Sequence, residues 1–217
     1  MKIQRLELQD FMIFHKVDTK FSPNINIISG ENSTGKTALI KLLYSCVKSC
    51  DLLQNSKGDI TKEKIETTLV SKLQGVFRPN KDNVGRLVYR RQGGAKTNVT
   101  VSFDKGNRWE FGFSNKHEKH IEIMSSKLPP SSVSTVYIPP KEIISSTENF
   151  VSLYADYHIA FEETYYDLAR LLERPLKRGA NTAEQNLVLK SFERILDGSI
   201  IQKDKIQFSQ FSVLYKS

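Results

Sequence analysis

Gly30-Glu31-Asn32-Ser33-Thr34-Gly35-Lys36-Thr37 carries the spacing G-x-x-x-x-G-K-[ST], and each fixed position in that spacing answers a need of phosphate chemistry. Successive backbone N–H groups can wrap a phosphate only where no Cβ intrudes, which is the use of Gly30 and Gly35. Lys36 would set a flexible ammonium on β- and γ-phosphate oxygens, and Thr37 would offer its hydroxyl to Mg²⁺. A helix that starts here adds a favourable dipole end and further N–H donors. The expected ligand is ATP or a closely related nucleoside triphosphate with Mg²⁺, held by Gly30, Glu31, Asn32, Ser33, Thr34, Gly35, Lys36, Thr37 and Ala38, with Thr37 on the metal.

Such a loop works only between a strand and a helix. Asn24-Ile25-Asn26-Ile27-Ile28-Ser29, after Pro23, reads as a short β-branched strand, and apolar residues at helical spacing run from Thr37 to about Cys50. Ahead of them, Met1 to Phe21 alternates apolar and polar residues and reads as an antiparallel hairpin with its turn near Phe14 to Lys16. A second helix is expected over Lys62 to Leu73, where Ile65, Leu69 and Leu73 share one face and Thr61 or Asp59 can cap it.

From Gly85 to Met124 the texture becomes that of a β-meander, with runs at Leu87-Val88-Tyr89, Val99 to Phe103, Trp109 to Phe113 and Ile121-Glu122-Ile123. Ser134 to Ile138 reads as a buried core strand stopped by Pro139-Pro140, since proline cannot donate to a ladder. Helical spacing then runs over Glu148 to Leu172 and Thr182 to Leu196, broken by Arg174-Pro175 and by Gly179-Ala180-Asn181, before a short strand-like piece at Lys205 to Phe208. The expected organisation is α/β: a core over 1–145 with the meander at about 85–124, a helical lobe over 146–198, and the start of a further part at 199–217. There is no internal repeat or low-complexity stretch.

The 217 residues, 39% apolar and 26% charged, suit a folded chain with a sizeable core. A net charge of +8 favours polyanion partners, nucleic acid or polyphosphate, and says nothing about fold. Charge within Met1 to Glu7 breaks up a signal-peptide core, and no apolar run approaches a membrane span, so the expectation is a cytoplasmic, reduced protein with no membrane partner. Cys46 and Cys50, four apart on the helix after the loop, read as packing, and His117 and His120 as part of a solvated turn. Arg86, Arg90, Arg91, Lys96, Arg108, Lys116 and Lys119, interleaved with Tyr89 and Trp109, could track a phosphate backbone and stack bases, which makes DNA a candidate partner. The plainer reading is a solvated sheet face. Tyr154, Tyr157, Phe161 and Tyr165 follow helical spacing and read as core or as a contact between copies.

Asn32, two after the first glycine of the loop, gives Gly-x-Asn-x-x-Gly-Lys-Thr, which resembles the ABC, SMC and RecF-like branch of P-loop ATPases. Ile3 to Phe11, then Phe21 and Ile25 to Gly30, is similar to the opening of SMC-type proteins. Val136 to Glu142 followed by a helical stretch looks like the AAA-15 and overcoming-lysogenisation-defect families. The resemblance implies a P-loop NTPase of the ABC type: a head with an antiparallel β-subdomain and a helical lobe. It implies too that two heads sandwich ATP, as an ATP-dependent homodimer or larger complex of the complete protein, in DNA repair, chromosome maintenance or phage defence.

Departures from the family pattern accompany it. No apolar run ends in Asp-Glu, and neither a Ser-Gly-Gly signature nor a following histidine switch occurs. No glutamine stands at Pro139-Pro140-Lys141-Glu142, where Glu142 is a weak substitute. The head is therefore expected to be incomplete at its C-terminal side, which leaves open whether the chain hydrolyses ATP by itself and leaves its catalytic residues unassigned. Two alternatives stand beside this reading: the nucleotide-binding subunit of an ABC transporter, which needs a membrane-domain partner, and a non-catalytic nucleotide-binding fragment.

Overall fold

The alternation of Ile3–Phe11 becomes strand β1, which sits second in a five-stranded antiparallel sheet of order β2-β1-β3-β4-β5. The other strands are β2 (Phe14–Lys20), β3 (Lys96–Phe103), β4 (Arg108–Ser114) and β5 (Glu122–Lys127). The computed structural model describes residues 1–129, 135–141, 150–157, 161–173, 180–204 and 209–215. They fall into two units, Met1–Ile138 with Glu162–Thr164, and Pro139–Phe161 with Tyr165–Ser217.

In the first unit, register places one row of apolar side chains across the whole sheet: Val17 opposite Leu8, Leu8 opposite Val99, Val99 opposite Phe111, and Phe111 opposite Ile123. Period-two alternation puts such a row on one face. Helix α1 (Lys36–Gln54) offers Ala38, Leu42, Cys46, Cys50 and Leu53 to that face, and α2 (Lys62–Phe77) offers Ile65, Leu69 and Leu73, so sheet and helices share one core. The expected cap is present: the Thr61 hydroxyl accepts from the Lys64 N–H at 3.3 Å. Helix α2 continues past the expected Leu73 to Phe77, because Val76 is also buried.

Several expectations are corrected here. The hairpin turn is at Met12-Ile13, with Phe11 opposite Phe14, and not at Phe14 to Lys16. Asp10 and Met12 take positive φ, 52° and 51°, which tightens the chain earlier than apolar alternation indicates. Leu87-Val88-Tyr89 is no strand. Val84–Leu87 forms a 3₁₀ turn, started by the Asn83 carboxamide accepting from the Gly85 N–H, and Val88 makes one isolated bridge to Phe11. The remaining meander strands extend the N-terminal hairpin as one sheet. Asn24 to Ser29 joins no ladder, and Ile25 and Ile27 are 81% and 88% exposed. Thr135 to Ile138 is likewise unpaired; Tyr137 alone of these is buried, against Tyr44 and Val76. A β-branched run specifies extended backbone, and a ladder needs a neighbour that the described residues do not provide.

The single helix expected over Glu148 to Leu172 is divided into α3 (Phe150–Tyr157) and α4 (Glu163–Leu172), with Phe161 and Glu162 outside both; apart from Glu162–Thr164 these residues belong to the second unit. The Phe161 ring packs edge-on against Phe150 and Tyr165, and Tyr154 stacks on Tyr166 at 4.7 Å, so most of the aromatic series is packing around Phe150 and Ala169; Tyr157 is exposed. Helix α5 (Ala183–Leu196) starts in a capping box between Thr182 and Gln185. A hairpin follows, β6 (Gly198–Asp204) with β7 (Ser209–Tyr215). The expected strand at Lys205 to Phe208, the breaks at Arg174-Pro175 and Gly179, and Glu142 lie outside the described residues.

Candidate functional site

Gly35 is where the loop turns into α1. It holds φ 88°, a left-handed value that side chains resist, and a Cβ there would fall 2.5 Å from Phe14 Cζ and 2.7 Å from Ile13 Cδ1. The tip of the β1–β2 hairpin therefore rests directly on the loop. Gly30 is also at positive φ, 149°, and Ser33 lies at 65°. Within the loop, the Thr34 hydroxyl donates to the Glu31 carbonyl at 2.8 Å. The Lys36 ammonium donates to the carbonyls of Gly30 (2.6 Å) and Glu31 (2.5 Å) and lies 3.5 Å from Thr34 Oγ1. The loop is thus closed around its own cation.

No side chain caps α1; its first turn closes with the Leu39 N–H donating to the Gly35 carbonyl at 3.1 Å. An uncapped helix start leaves N–H donors facing outward, which suits an anion. Above them opens a cleft of about 440 Å³ lined by Asn32, Ser33, Thr34, Gly35, Lys36, Thr37 and Ala38 together with Met12, Ile13, Lys41 and Phe77. The structure thus brings most of the expected loop residues to one cleft, while Gly30 and Glu31 stand behind it as acceptors for Lys36. Met12, Ile13, Phe14, Lys41 and Phe77 were not singled out from the sequence. Lys41 could have been, since it follows Thr37 by four residues and shares its helix face.

Among the described residues no group of three or more His, Cys, Asp or Glu could hold a metal ion.

The remaining candidates separate clearly. Trp109 is fully buried and its indole Nε1 meets no partner, so it cannot stack a base. Lys96 bonds Glu122 at 2.7 Å, Arg108 bonds Glu110 at 3.0 Å, and Arg91 lies 3.6 Å from the buried Asp10, so these cations are matched by acids. The carboxyl of Glu122 is held below the usual range, first by its hydrogen bond from Lys96. Asp18 is lowered likewise by Arg5, which reaches it at 2.6 Å. Arg86, Arg90, Lys116 and Lys119 remain exposed on adjoining connections, where the Val84 N–H donates to the Glu118 carbonyl and the Asn115 side chain donates to the Gly93 carbonyl. His120 pairs with Glu66 at 2.6 Å. Cys46 and Cys50 are free and buried; burial pushes the Cys46 thiol well up and the Cys50 thiol to about 12. They are packing groups.

A family model described as AAA domain matches residues 5–213. The chain is 46% identical over 44 residues to the DNA replication and repair protein RecF of Halalkalibacterium halodurans, covering 20% of this chain and 12% of that one. With RecF of Desulforamulus reducens it shares 28% over 71 residues, 33% of this chain and 19% of the relative. With RecF of Streptococcus thermophilus it shares 24% over 102 residues, 47% and 24% respectively. The chain thus spans between 12% and 24% of the length of these curated relatives. A solved structure from work on ATP-driven dimerization and DNA stimulated activation of SMC ATPases matches 88% of this chain and 99% of its own, at 12% identity and a TM-score of 0.34.

Proposed function

The chain belongs to the AAA domain family, as an SMC/RecF-like P-loop protein of the ABC class, and from that premise we propose that Gly30 to Ala38 binds Mg-ATP as the nucleotide seat of an ABC-type head. The observation that carries this reading is the loop closed around Lys36 at the uncapped start of α1, beneath the hairpin tip. An arriving phosphate would offer Lys36 a charged acceptor in place of the Gly30 and Glu31 carbonyls, and charge-assisted bonds are the stronger ones. Thr37, at the head of α1, would give its hydroxyl to the accompanying Mg²⁺.

Turnover needs more than this seat. The sequence holds no Asp-Glu pair, so we assign to the described cleft binding and not hydrolysis. The exposed apolar segments Asn24 to Ser29 and Thr135 to Ile138 support completion by further strands, which in our reading bring the missing carboxylates. The complete head would pair with a second one in an ATP-dependent manner. The names of the RecF relatives favour a role in DNA replication or repair; a cytoplasmic location, and chromosome maintenance or phage defence as the setting, belong to our proposal on the family resemblance alone. The exposed Arg86, Arg90, Lys116 and Lys119 suit a phosphate backbone. No helix among the described residues is long and apolar enough to cross a membrane.

Calorimetric titration with Mg-ATP, with Lys36→Ala beside the unaltered chain, tests the reading. Loss of binding in the variant is expected, and equal affinity would rule it out. Phosphate release that depends on Lys36 would show that acids within this chain complete the site and that binding alone is too narrow an assignment.

A further inference from the structure

Two lysine–glutamate pairs hold Glu162–Thr164 within the first unit, and they differ in kind. Lys72 of α2 bonds Glu163 at 2.6 Å with its side chain only 3% exposed, and Gly75 sits so close beneath that a Cβ there would strike the Glu163 carboxylate. The lysine of that pair is sealed, and Glu163 is 22% exposed. Lys41 of α1 bonds Glu162 at 2.5 Å, but its side chain is 13% exposed and that of Glu162 35%. Lys41 also lines the loop cleft with Thr37 and Phe77, and its ammonium lies 6.0 Å from the centre of the Phe77 ring.

Four residues separate Thr37 from Lys41, about one helical turn, so both side chains leave α1 on the same face. A lysine stem is flexible enough to bridge about one turn of helix, which brings the ammonium within reach of an anion lodged at Thr37. A polyphosphate there would be the strongest negative charge in the cleft, multiply charged where Glu162 carries one unit, and the partly exposed carboxylate can pass to water when its lysine leaves. In the other pair it is the lysine that has no such exit, since Lys72 is buried at 3% exposure while Glu163 keeps 22%.

We infer that Lys41 is a second phosphate-binding cation of the loop cleft, neutralised by Glu162 until a polyphosphate takes its place. The inference rests on the nucleotide reading above and adds to it a residue outside the loop motif. It predicts opposite consequences for the two halves of one ion pair: removing the lysine removes a ligand to phosphate, whereas removing the carboxylate removes a competitor.

Calorimetric titration of the full chain with Mg-ATP, alongside thermal melting of each variant, separates the possibilities. Lys41→Met is expected to weaken binding about tenfold, as for loss of one charge-assisted contact. Lys41→Arg should retain affinity to within about threefold, since the charge persists. Glu162→Gln should tighten binding by about threefold, and Lys72→Met should lower the melting temperature without changing affinity. Unaltered affinity in a folded Lys41→Met chain would overturn the inference, and so would a Glu162→Gln chain weakened as much as Lys41→Met, which would make the pair merely structural. If Lys41→Met does not fold, Glu162→Gln decides: tighter binding beside a Lys41→Arg chain of retained affinity supports the inference, and unaltered or weaker binding in Glu162→Gln overturns it. Equal affinity in the unaltered chain and Lys36→Ala would instead bring down the nucleotide reading itself.

Discussion

The side of α1 that carries Leu42, Cys46 and Leu53 is sealed beneath the five-stranded sheet, whereas the side that carries Ile40, Leu43 and Tyr44 lies along Asn24, Asn26 and Ile28 and Thr135 to Tyr137, segments without a ladder. The sealed side has its rows in register and α2 capped by Thr61. The other keeps a groove of about 510 Å³ and leaves Ile25, Ile27 and Ile138 largely in solvent. A helix apolar on nearly all sides is one that a fold covers on all sides. The loop joins the two regions, for its glycine turn touches the finished hairpin while its lead-in segment belongs to the unfinished side.

If that contrast holds, the largest loss of stability comes from the sealed side. Trp109→Ala should cost about 3–5 kcal/mol in urea unfolding followed by far-ultraviolet circular dichroism. Trp109→Phe, which removes an indole N–H that has no partner, should cost under about 1.5 kcal/mol. Equal losses would mean that the ring is not in the core.

Alkaline pH probes the same side through Cys46 and Cys50. Both thiols are held up by burial, Cys50 to about 12, while in the unfolded chain a thiol ionises near pH ~8.5. The unfolded state therefore loses these protons first. The stability tied to neutral thiols is fully present below that pH and falls as pH rises toward 12, by up to about 1.4 kcal/mol per pH unit per thiol. A Cys46→Ala, Cys50→Ala chain should lose that part of the slope, and an unchanged slope would place the thiols in water.

At the junction, Gly35→Ala sets a Cβ against Phe14 and Ile13 at a left-handed φ. It should cost about 1–3 kcal/mol and weaken Mg-ATP binding by moving the loop off the hairpin tip. Wild-type behaviour in both measurements would detach the tip from the loop.

What the sequence disclosed follows the same division. The glycine loop, the face of α1 from Leu42 to Cys50, the Thr61 cap and the Thr182 start were legible because each is encoded within a few residues. The β-branched residues of Asn24 to Ser29 predict a strand, yet pairing is a property of two segments, and a one-segment pattern cannot reveal whether the second is present. Leu87 to Tyr89 misled because Gly85 tucks under the carbonyls of Ser114 and His117, a long-range approach that leaves no local period. The cleft's outer wall, Met12, Ile13 and Phe77, was invisible for the same reason: sheet register and the far end of α2 deliver it. Lys41 alone had a local signal, its spacing from Thr37.

The smallest expected effect is the most discriminating for the unfinished side. Ile27 is 88% exposed on a segment that joins no ladder, so Ile27→Asp removes almost no buried area and should alter urea stability of this chain by no more than about 0.5 kcal/mol. Leu42→Ala, on the opposite side of the neighbouring helix, should cost about 2–5 kcal/mol. The pair of substitutions turns the comparison into one ratio. A near-neutral Ile27→Asp beside a costly Leu42→Ala means that the β-branched run before the loop is kept for a strand supplied from outside the described residues. An Ile27→Asp loss approaching that of Leu42→Ala would mean that the segment is already covered, and that α1 is buried on both sides in this chain alone.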